Sequence, residues 1–307
     1  MIVVCGEALI DLVPLPGVPG GFSARHGGSP TNVAVGLGRL GVPVALLARL
    51  SGDPFGRLLA QHVRGAGVDD SLLIAAAEPT TLAVVTLDDV GGAEYAFYVD
   101  GAADGGWRTD DVPAALPPGA PLHVSGALAL AVPSMGDAIE GLLRRERGQR
   151  LLALDPNVRP RLVRDEAAQR ARLDRWIALV DLVKVSADDL AWLAPGVAVE
   201  DVAAQWLARG PGMVVVTRGA DGTHACTAGG TVDLPGMPVV VADTVGAGDA
   251  FMAGLLCALH ESGDLVRGKP PAPAALRSAL QFAQLVASIT CARIGADPPW
   301  RAELPTA

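Results

Sequence analysis

The chain has 307 residues, 50% hydrophobic and 19% charged, with 24 basic against 33 acidic side chains and a net charge of −9. This composition excludes a disordered chain, and the acidic balance argues against nucleic acid and anionic membrane as partners, since both need a basic surface. The length suits a single large domain, 1–307.

Short apolar runs alternate with helical patterns along the chain. Ile2–Cys5, Val44–Leu47, Leu122–Ser125, Leu151–Leu154, Leu182–Val185 and Met213–Thr217 read as buried strands, rich in Val, Leu or Ile. Between them lie helical patterns at Thr31–Leu40, Phe55–Ala66, Ser134–Arg147, Glu166–Leu179, Ala187–Leu193 and Val199–Arg209. A further strand is expected at Val239–Ala242, then two long helices at Ala247–Glu261 and Pro273–Cys291. This alternation predicts an α/β fold with a mostly parallel central sheet between two helical layers. Two stretches break the pattern. Leu12–Gly28 is rich in Pro and Gly without a helical period, while Thr80–Leu87 and Glu94–Val99 alternate like an antiparallel pair joined at Asp88–Gly92. Together, residues of about 12–28 and 80–104 are expected to form a small β lid outside the main sheet.

Several signals are negative. Cys5, Cys226, Cys257 and Cys291 are too scattered for a zinc site and read as buried thiols. No apolar run is long enough for a membrane span, and Glu7 and Asp11 interrupt the first apolar stretch, unlike a signal peptide; a cytoplasmic location is the expectation. Gly36-x-Gly38-x-x-Gly41 has dinucleotide spacing but ends a helix instead of opening one. Gly263-x4-Gly268-Lys269 lacks the Ser or Thr of a phosphate loop, because Pro270 follows.

The strongest motif is Asp243-Thr-Val-Gly246-Ala247-Gly248-Asp249-Ala-Phe251. Small residues at a helix start leave backbone N–H groups free to converge on an anion, and the helix dipole favours negative charge there. Such donors stabilise a transferring phosphoryl group, and a carboxylate beside them, Asp249, can take a proton from an attacking hydroxyl. Further upstream, Asp11 precedes Gly27-Gly28-Ser29-Pro30-Thr31-Asn32, where glycines admit close approach and Asn both donates and accepts, a combination that suits a polyol. Asp155-Pro-Asn157-Val-Arg159, Lys184-Val-Ser186-Ala-Asp188-Asp189 and Thr217-Arg-Gly219-Ala-Asp-Gly222 each leave the C-terminal end of a strand, the edge where open α/β sheets bind ligands.

On these motifs the sequence resembles the ribokinase-like sugar kinases, the phosphofructokinase-B type family, over essentially its whole length. Gly27-Gly28…Asn32 and Asp243–Phe251 match the family's two signatures. Gly6-Glu7-Ala-Leu-Ile-Asp11, Phe97-Tyr98-Val-Asp100-Gly-Ala-Ala-Asp104, Asp155–Arg159 and Cys291–Pro299 are most similar to the bacterial fructokinases among its members. The resemblance implies the three-layer ribokinase-like fold, a cytoplasmic enzyme and the γ-phosphoryl group of ATP as donor. It makes Asp249 the base acting on a primary hydroxyl and Gly246, Ala247 and Gly248 the anion hole. Asp11, Gly27, Gly28, Asn32 and Arg159 would hold the sugar, with Phe97 touching it from the lid. Lys184, Ser186, Thr217, Gly219 and Gly222 would lie along the nucleotide. Asp189 would stand near Mg²⁺, and Asp243 with the 292–295 backbone would match a monovalent-cation site, K⁺ in many members. Members often carry Asn and Glu where Ser186 and Asp189 stand, and both residues here are shorter. A homodimer through the lid is also expected, because Leu82–Leu87 is apolar on both faces.

Within the family the alternatives to fructose are 2-keto-3-deoxygluconate, ribose and a nucleoside. Residues 88–106 contain no Lys or Arg, which favours a neutral sugar over a keto-acid, although Arg25 and Arg159 can supply charge. A non-catalytic sugar-binding regulator would be marked by loss of the base or the anion hole, and neither is lost.

Overall fold

The computed structural model describes residues 1–15, 17–87 and 93–305. The chain starts with β1 (Ile2–Cys5), β2 (Leu9–Pro14) and β3 (Phe22–Gly27), followed by α1 (Ser29–Arg39), β4 (Val44–Leu47), β5 (Arg49–Ser51), α2 (Pro54–Gly65) and β6 (Ile74–Ala76). β7 (Leu82–Leu87) and β8 (Ala93–Tyr98) come next, then β9 (Leu122–Ser125), α3 (Ala127–Ala131), α4 (Pro133–Glu146), β10 (Leu152–Asp155) and α5 (Glu166–Ile177). The remainder is β11 (Leu182–Ser186), α6 (Ala187–Leu193), α7 (Val199–Leu207), β12 (Met213–Thr217), β13 (Thr223–Thr227), β14 (Gly230–Leu234), α8 (Ala247–Glu261) and α9 (Pro273–Cys291).

Eight strands form the main sheet in the order β14-β13-β12-β11-β10-β9-β1-β4. The pairs from β4 through β12 are parallel, and β13 and β14 continue antiparallel at the far edge. Strand side chains alternate between faces. Ile2 and Val4 therefore join Val33, Leu37, Leu255 and Leu280 of α1, α8 and α9 on one side. Val3 and Cys5 join Leu142, Trp176 and Trp206 of α4, α5 and α7 on the other. Helices cover both faces, which is why the central strands are apolar throughout, as the sequence predicts. The parallel strands present their C-terminal ends to one edge, where the motifs converge.

The smaller sheet has the order β3-β2-β7-β8. Its β7–β8 pair agrees with the expected hairpin, whose 88–92 connection lies outside the described residues. Leu12–Gly28 contributes two strands, a finer structure than its Pro- and Gly-rich composition suggests. The antiparallel β13–β14 hairpin is likewise additional. The strand expected at Val239–Ala242 does not form: the segment is irregular, and Val240 is 90% exposed. A valine run makes a strand only where a neighbouring strand pairs with it, and none does here. Gly36–Gly41 ends α1 and Gly263–Lys269 is a loop after α8, as expected. No described helix is long and apolar enough to cross a membrane.

Candidate active site

Two segments far apart in sequence meet around Asp249. Gly28 ends the β3–α1 turn at φ 96°, where a Cβ would lie 2.6 Å from the Glu7 carbonyl, so only glycine fits. The turn aims the start of α1 at the start of α8. Ser29 Oγ donates to Asp249 Oδ1 at 2.6 Å, and Asn32 Nδ2 donates to Asp249 Oδ2 at 2.8 Å. Ser29 Oγ also lies 2.5 Å from Ser125 Oγ at the end of β9. Asp249 is buried, with both oxygens held in fixed directions. The sequence motifs single out Asn32 and Asp249 but give no role to Ser29 or Ser125. A serine at a strand end carries no local signal of a contact 96 residues away.

Gly246 caps α8 in the left-handed conformation at φ 76°, with Ala296 at 2.5 Å from where its Cβ would stand. The approach to this turn is tied down on one side. Ala242 and Asp243 donate N–H to the Cys291 carbonyl, and the Asp243 carboxylate accepts from Val245 N at 3.0 Å and Gly295 N at 2.8 Å. Asp243 and the 292–295 backbone are thus brought together, as the resemblance implies. On the other side stands Lys184, whose Nζ would be 3.0 Å from a Cβ on Gly248. Lys184 Nζ pairs with Asp155 Oδ2 at 2.8 Å, both groups buried. Burial works against the ammonium charge, but Asp155, then Asp189 and Asp249, outweigh it and raise the Lys184 pKa. Burial pushes Asp155 up to about 6, opposed by Lys184, so the pair is ionised at neutral pH.

Ser186 and Asp189 form a capping box at the start of α6. Asp189 accepts from Ser186 N at 3.2 Å and from Val158 N at 2.9 Å, and donates its own N–H to Ser186 Oγ. This structural use, fastening the 157–159 turn to α6, is one that the sequence motif does not reveal. Asp155 accepts from Asn157 N, and Asn157 adopts the left-handed φ of 41° that Asn tolerates. Among the described residues no group of three or more His, Cys, Asp or Glu side chains converges to hold a metal.

Of the sugar-side candidates, Asp11, Gly27 and Phe97 share one face of the lid. Asp11 pairs in register with Ala83, and Ala83 with Phe97. Asp11 Oδ2 fills the space that a Cβ on Gly27 would occupy, 2.3 Å away. Burial pushes Asp11 up to about 6; Arg159 opposes this and Asp249 adds to it. Arg159 is exposed, and its charge bears on Glu7, Asp11 and Tyr95. Phe97 stacks on Tyr95 with centroids 6.0 Å apart. Beneath them lie two acids with no assigned role from sequence, Glu7 and the fully buried Asp104. Burial raises both, Asp104 to about 7. Thr217 sits at the end of β12 level with Ser186, followed by Gly219 at φ 54° and Gly222 at φ 95°. A Cβ on Gly222 would strike the Leu234 carbonyl at 2.0 Å. These three share the sheet edge with Lys184 but make no hydrogen bond to Asp249.

A carboxylate held at a helix start, between a glycine turn and the lid, fits phosphoryl transfer to a hydroxyl. The family model for pfkB family carbohydrate kinases matches residues 1–303. The chain belongs to the pfkB carbohydrate kinase family. It is therefore a sugar kinase. It is 40% identical over 84% of its length to a fructokinase of Rhizobium leguminosarum bv. trifolii, covering 79% of that protein. Among solved structures, a fructokinase from Vibrio cholerae with fructose, ADP and calcium bound is 28% identical with a TM-score of 0.81, covering 96% of this chain and 94% of that one. An aminoimidazole riboside kinase from Salmonella enterica, with its riboside and an ATP analogue, is also 28% identical with a TM-score of 0.83 and the same coverage. The pfkB fold is thus shared across sugar classes.

Proposed function

We propose that this pfkB kinase is an ATP-dependent fructokinase in which Asp249 is the catalytic base. The observation that carries this reading is the clamp on Asp249: Ser29 and Asn32 hold its two oxygens at the N-terminus of α8, beside the anion turn. Fructose lies under the lid, with Asp11, Gly27, Gly28, Asn32 and Arg159 around its hydroxyls and Phe97 against its carbons. Asp249 takes the proton of a primary hydroxyl as the oxygen attacks the γ-phosphorus of ATP and the bond to ADP breaks. Backbone N–H groups of Gly246 and Gly248 stabilise the charge on the phosphoryl oxygens, the Ala247 N–H being taken by the Thr244 carbonyl at 3.2 Å, and Lys184 adds a fixed cation beside them. Thr217, Gly219, Gly222 and Ser186 line the nucleotide's path. The lid excludes water and so limits wasteful hydrolysis.

The residues suit a Mg²⁺ that arrives on the phosphates. Such an ion keeps waters and uses only one or two protein carboxylates. Asp155 and Asp189, whose charges bear on Lys184, are the carboxylates to hold it, and it would neutralise phosphate charge. Asp243 with the 292–295 backbone is the proposed place for a monovalent cation. Likeness of fold does not choose the sugar, since a riboside kinase is as similar as a fructokinase. Fructose is favoured by the 40% identity to a fructokinase and by the absence of Lys and Arg from residues 88–106.

The test is ADP release with Mg·ATP across fructose, tagatose, ribose, glucose, adenosine and 2-keto-3-deoxygluconate. Fructose is expected to turn over fastest, and Asp249→Asn to lose about 10²–10⁴ in kcat, roughly 3–5 kcal/mol of barrier lowering. An Asp249→Asn enzyme keeping a tenth or more of kcat would remove the base; faster turnover of another sugar would correct the substrate alone.

A further inference from the structure

Arg25 is a cation on the inner side of the lid that the site described above does not use. It lies on β3 in register with Asp11 of β2, so both side chains leave the inner, sugar-facing side of the lid. It makes no ion pair with Asp11. Its guanidinium rests on the loop after α9 instead: a Cβ on Gly295 would lie 2.9 Å from Arg25 Nη1. Gly295 is bonded to Asp243, and the next residue, Ala296, packs against Gly246, the cap of α8. Arg25 therefore flanks the Gly246–Gly248 turn from the lid, as Lys184 flanks it from the sheet.

The two cations differ in their surroundings. Lys184 is neutralised by Asp155. Arg25 is half-buried, and among the described residues it forms neither a hydrogen bond nor an ion pair. A guanidinium drawn part-way out of water without a partner is costly to keep. Asp243 is engaged by two amides and Asp249 by Ser29 and Asn32, while Asp11, level with Arg25 on β2, makes no hydrogen bond to it. An anionic ligand at this turn would supply the counter-charge that none of these carboxylates gives. A planar guanidinium matches two phosphate oxygens at once, and phosphate is the anion that the reaction brings to this turn.

We propose that Arg25 binds the phosphoryl group during transfer and on the sugar phosphate product, completing the anion hole from the lid side. This rests on the Gly246–Gly248 turn being that anion hole. The experiment compares wild type, Arg25→Gln, Arg25→Lys and Asp249→Asn for kcat and for calorimetric affinity towards fructose and towards the purified sugar phosphate that the wild type makes. For Arg25→Gln we expect kcat to fall by about 10²-fold, as for loss of one oxyanion donor. Product affinity should weaken by about tenfold or more, and fructose affinity should stay within about twofold. Arg25→Lys, which keeps the charge but not the fork, should recover part of kcat, and it carries the test should Arg25→Gln unfold. A kcat and product affinity within about twofold of wild type for Arg25→Gln would overturn the proposal, as would equal losses for fructose and product, which would assign Arg25 to the sugar. If Asp249→Asn keeps its kcat, the base assignment fails, while the Arg25 assignment stands or falls on Arg25→Gln alone. If Asp249→Asn is inactive while Arg25→Gln is unaffected, only the Arg25 assignment fails.

Discussion

Burial pushes the Asp11 carboxyl up to about 6, with Arg159 pulling it down and Asp249 pushing it further up. In the proposed sugar site, ionised Asp11 accepts sugar hydroxyls more strongly than its protonated form does. KM for fructose is therefore expected to rise as pH falls through about 6, and Asp11→Asn should have a high KM that no longer varies there; a flat profile in the wild type would take Asp11 out of the sugar site. The same shift has the opposite sense for stability. The folded pKa lies above the unfolded one, so the folded chain holds the proton longer, and the contribution present at low pH is lost as pH rises from about 4 to about 6. Asp249 and Asn32 are legible in the sequence because a small-residue turn at a helix start leaves a local trace. Ser125, Glu7 and Asp104 are not, because their places come from chain segments that meet only in the folded molecule. Ser186 and Asp189 show the converse: a motif at a strand end serves in part as an ordinary cap.

At the scale of elements, α8 carries Asp249, the proposed base, and is held by α9. Gly254 makes that approach possible, since a Cβ there would lie 2.9 Å from Ala283 Cα and 3.2 Å from Val286. Gly254→Val is expected to cost about 1–3 kcal/mol by overpacking and to lower kcat through displacement of Asp249, checked by denaturant midpoint and turnover on one preparation. An unchanged midpoint would mean that the helix pair has slack. The six parallel strands are readable as buried apolar runs because both their faces are covered. The lid strands β2 and β3 are not, because Asp11, Ser23, Arg25 and His26 interrupt their apolar residues and prolines and glycines lie between them. Val239–Ala242 misleads for the reverse reason: its valines are β-formers without a partner strand, and Val240 and Val241 lie exposed.

For the whole molecule, the lid's outer face matters most. Register puts Phe22, Ala24, Leu12, Val84, Ala96 and Tyr98 on one side of the four-stranded sheet. Tyr98 is 61% and Phe22 43% exposed, at opposite edges of that face. These residues form an apolar stripe across that face, with His26 and Thr86 beside it, and such a stripe suits an association surface. We infer a homodimer through it: light scattering is expected to give a dimer for the wild type and a monomer for Phe22→Glu with Tyr98→Glu, and a monomeric wild type would discard the lid pairing. The order of the main sheet has a different bearing. β1 lies inside it, between β9 and β4, and Asp249 is held by residues 217 and 220 positions earlier in the chain. At about 5–20 residues per second, a ribosome releases Ser29 and Asn32 roughly 10–45 seconds before it delivers the carboxylate they are to hold. Throughout that interval the nascent chain carries Ser29 and Asn32 without the carboxylate that they clamp, so the proposed chemistry waits for the last part of the chain to be made.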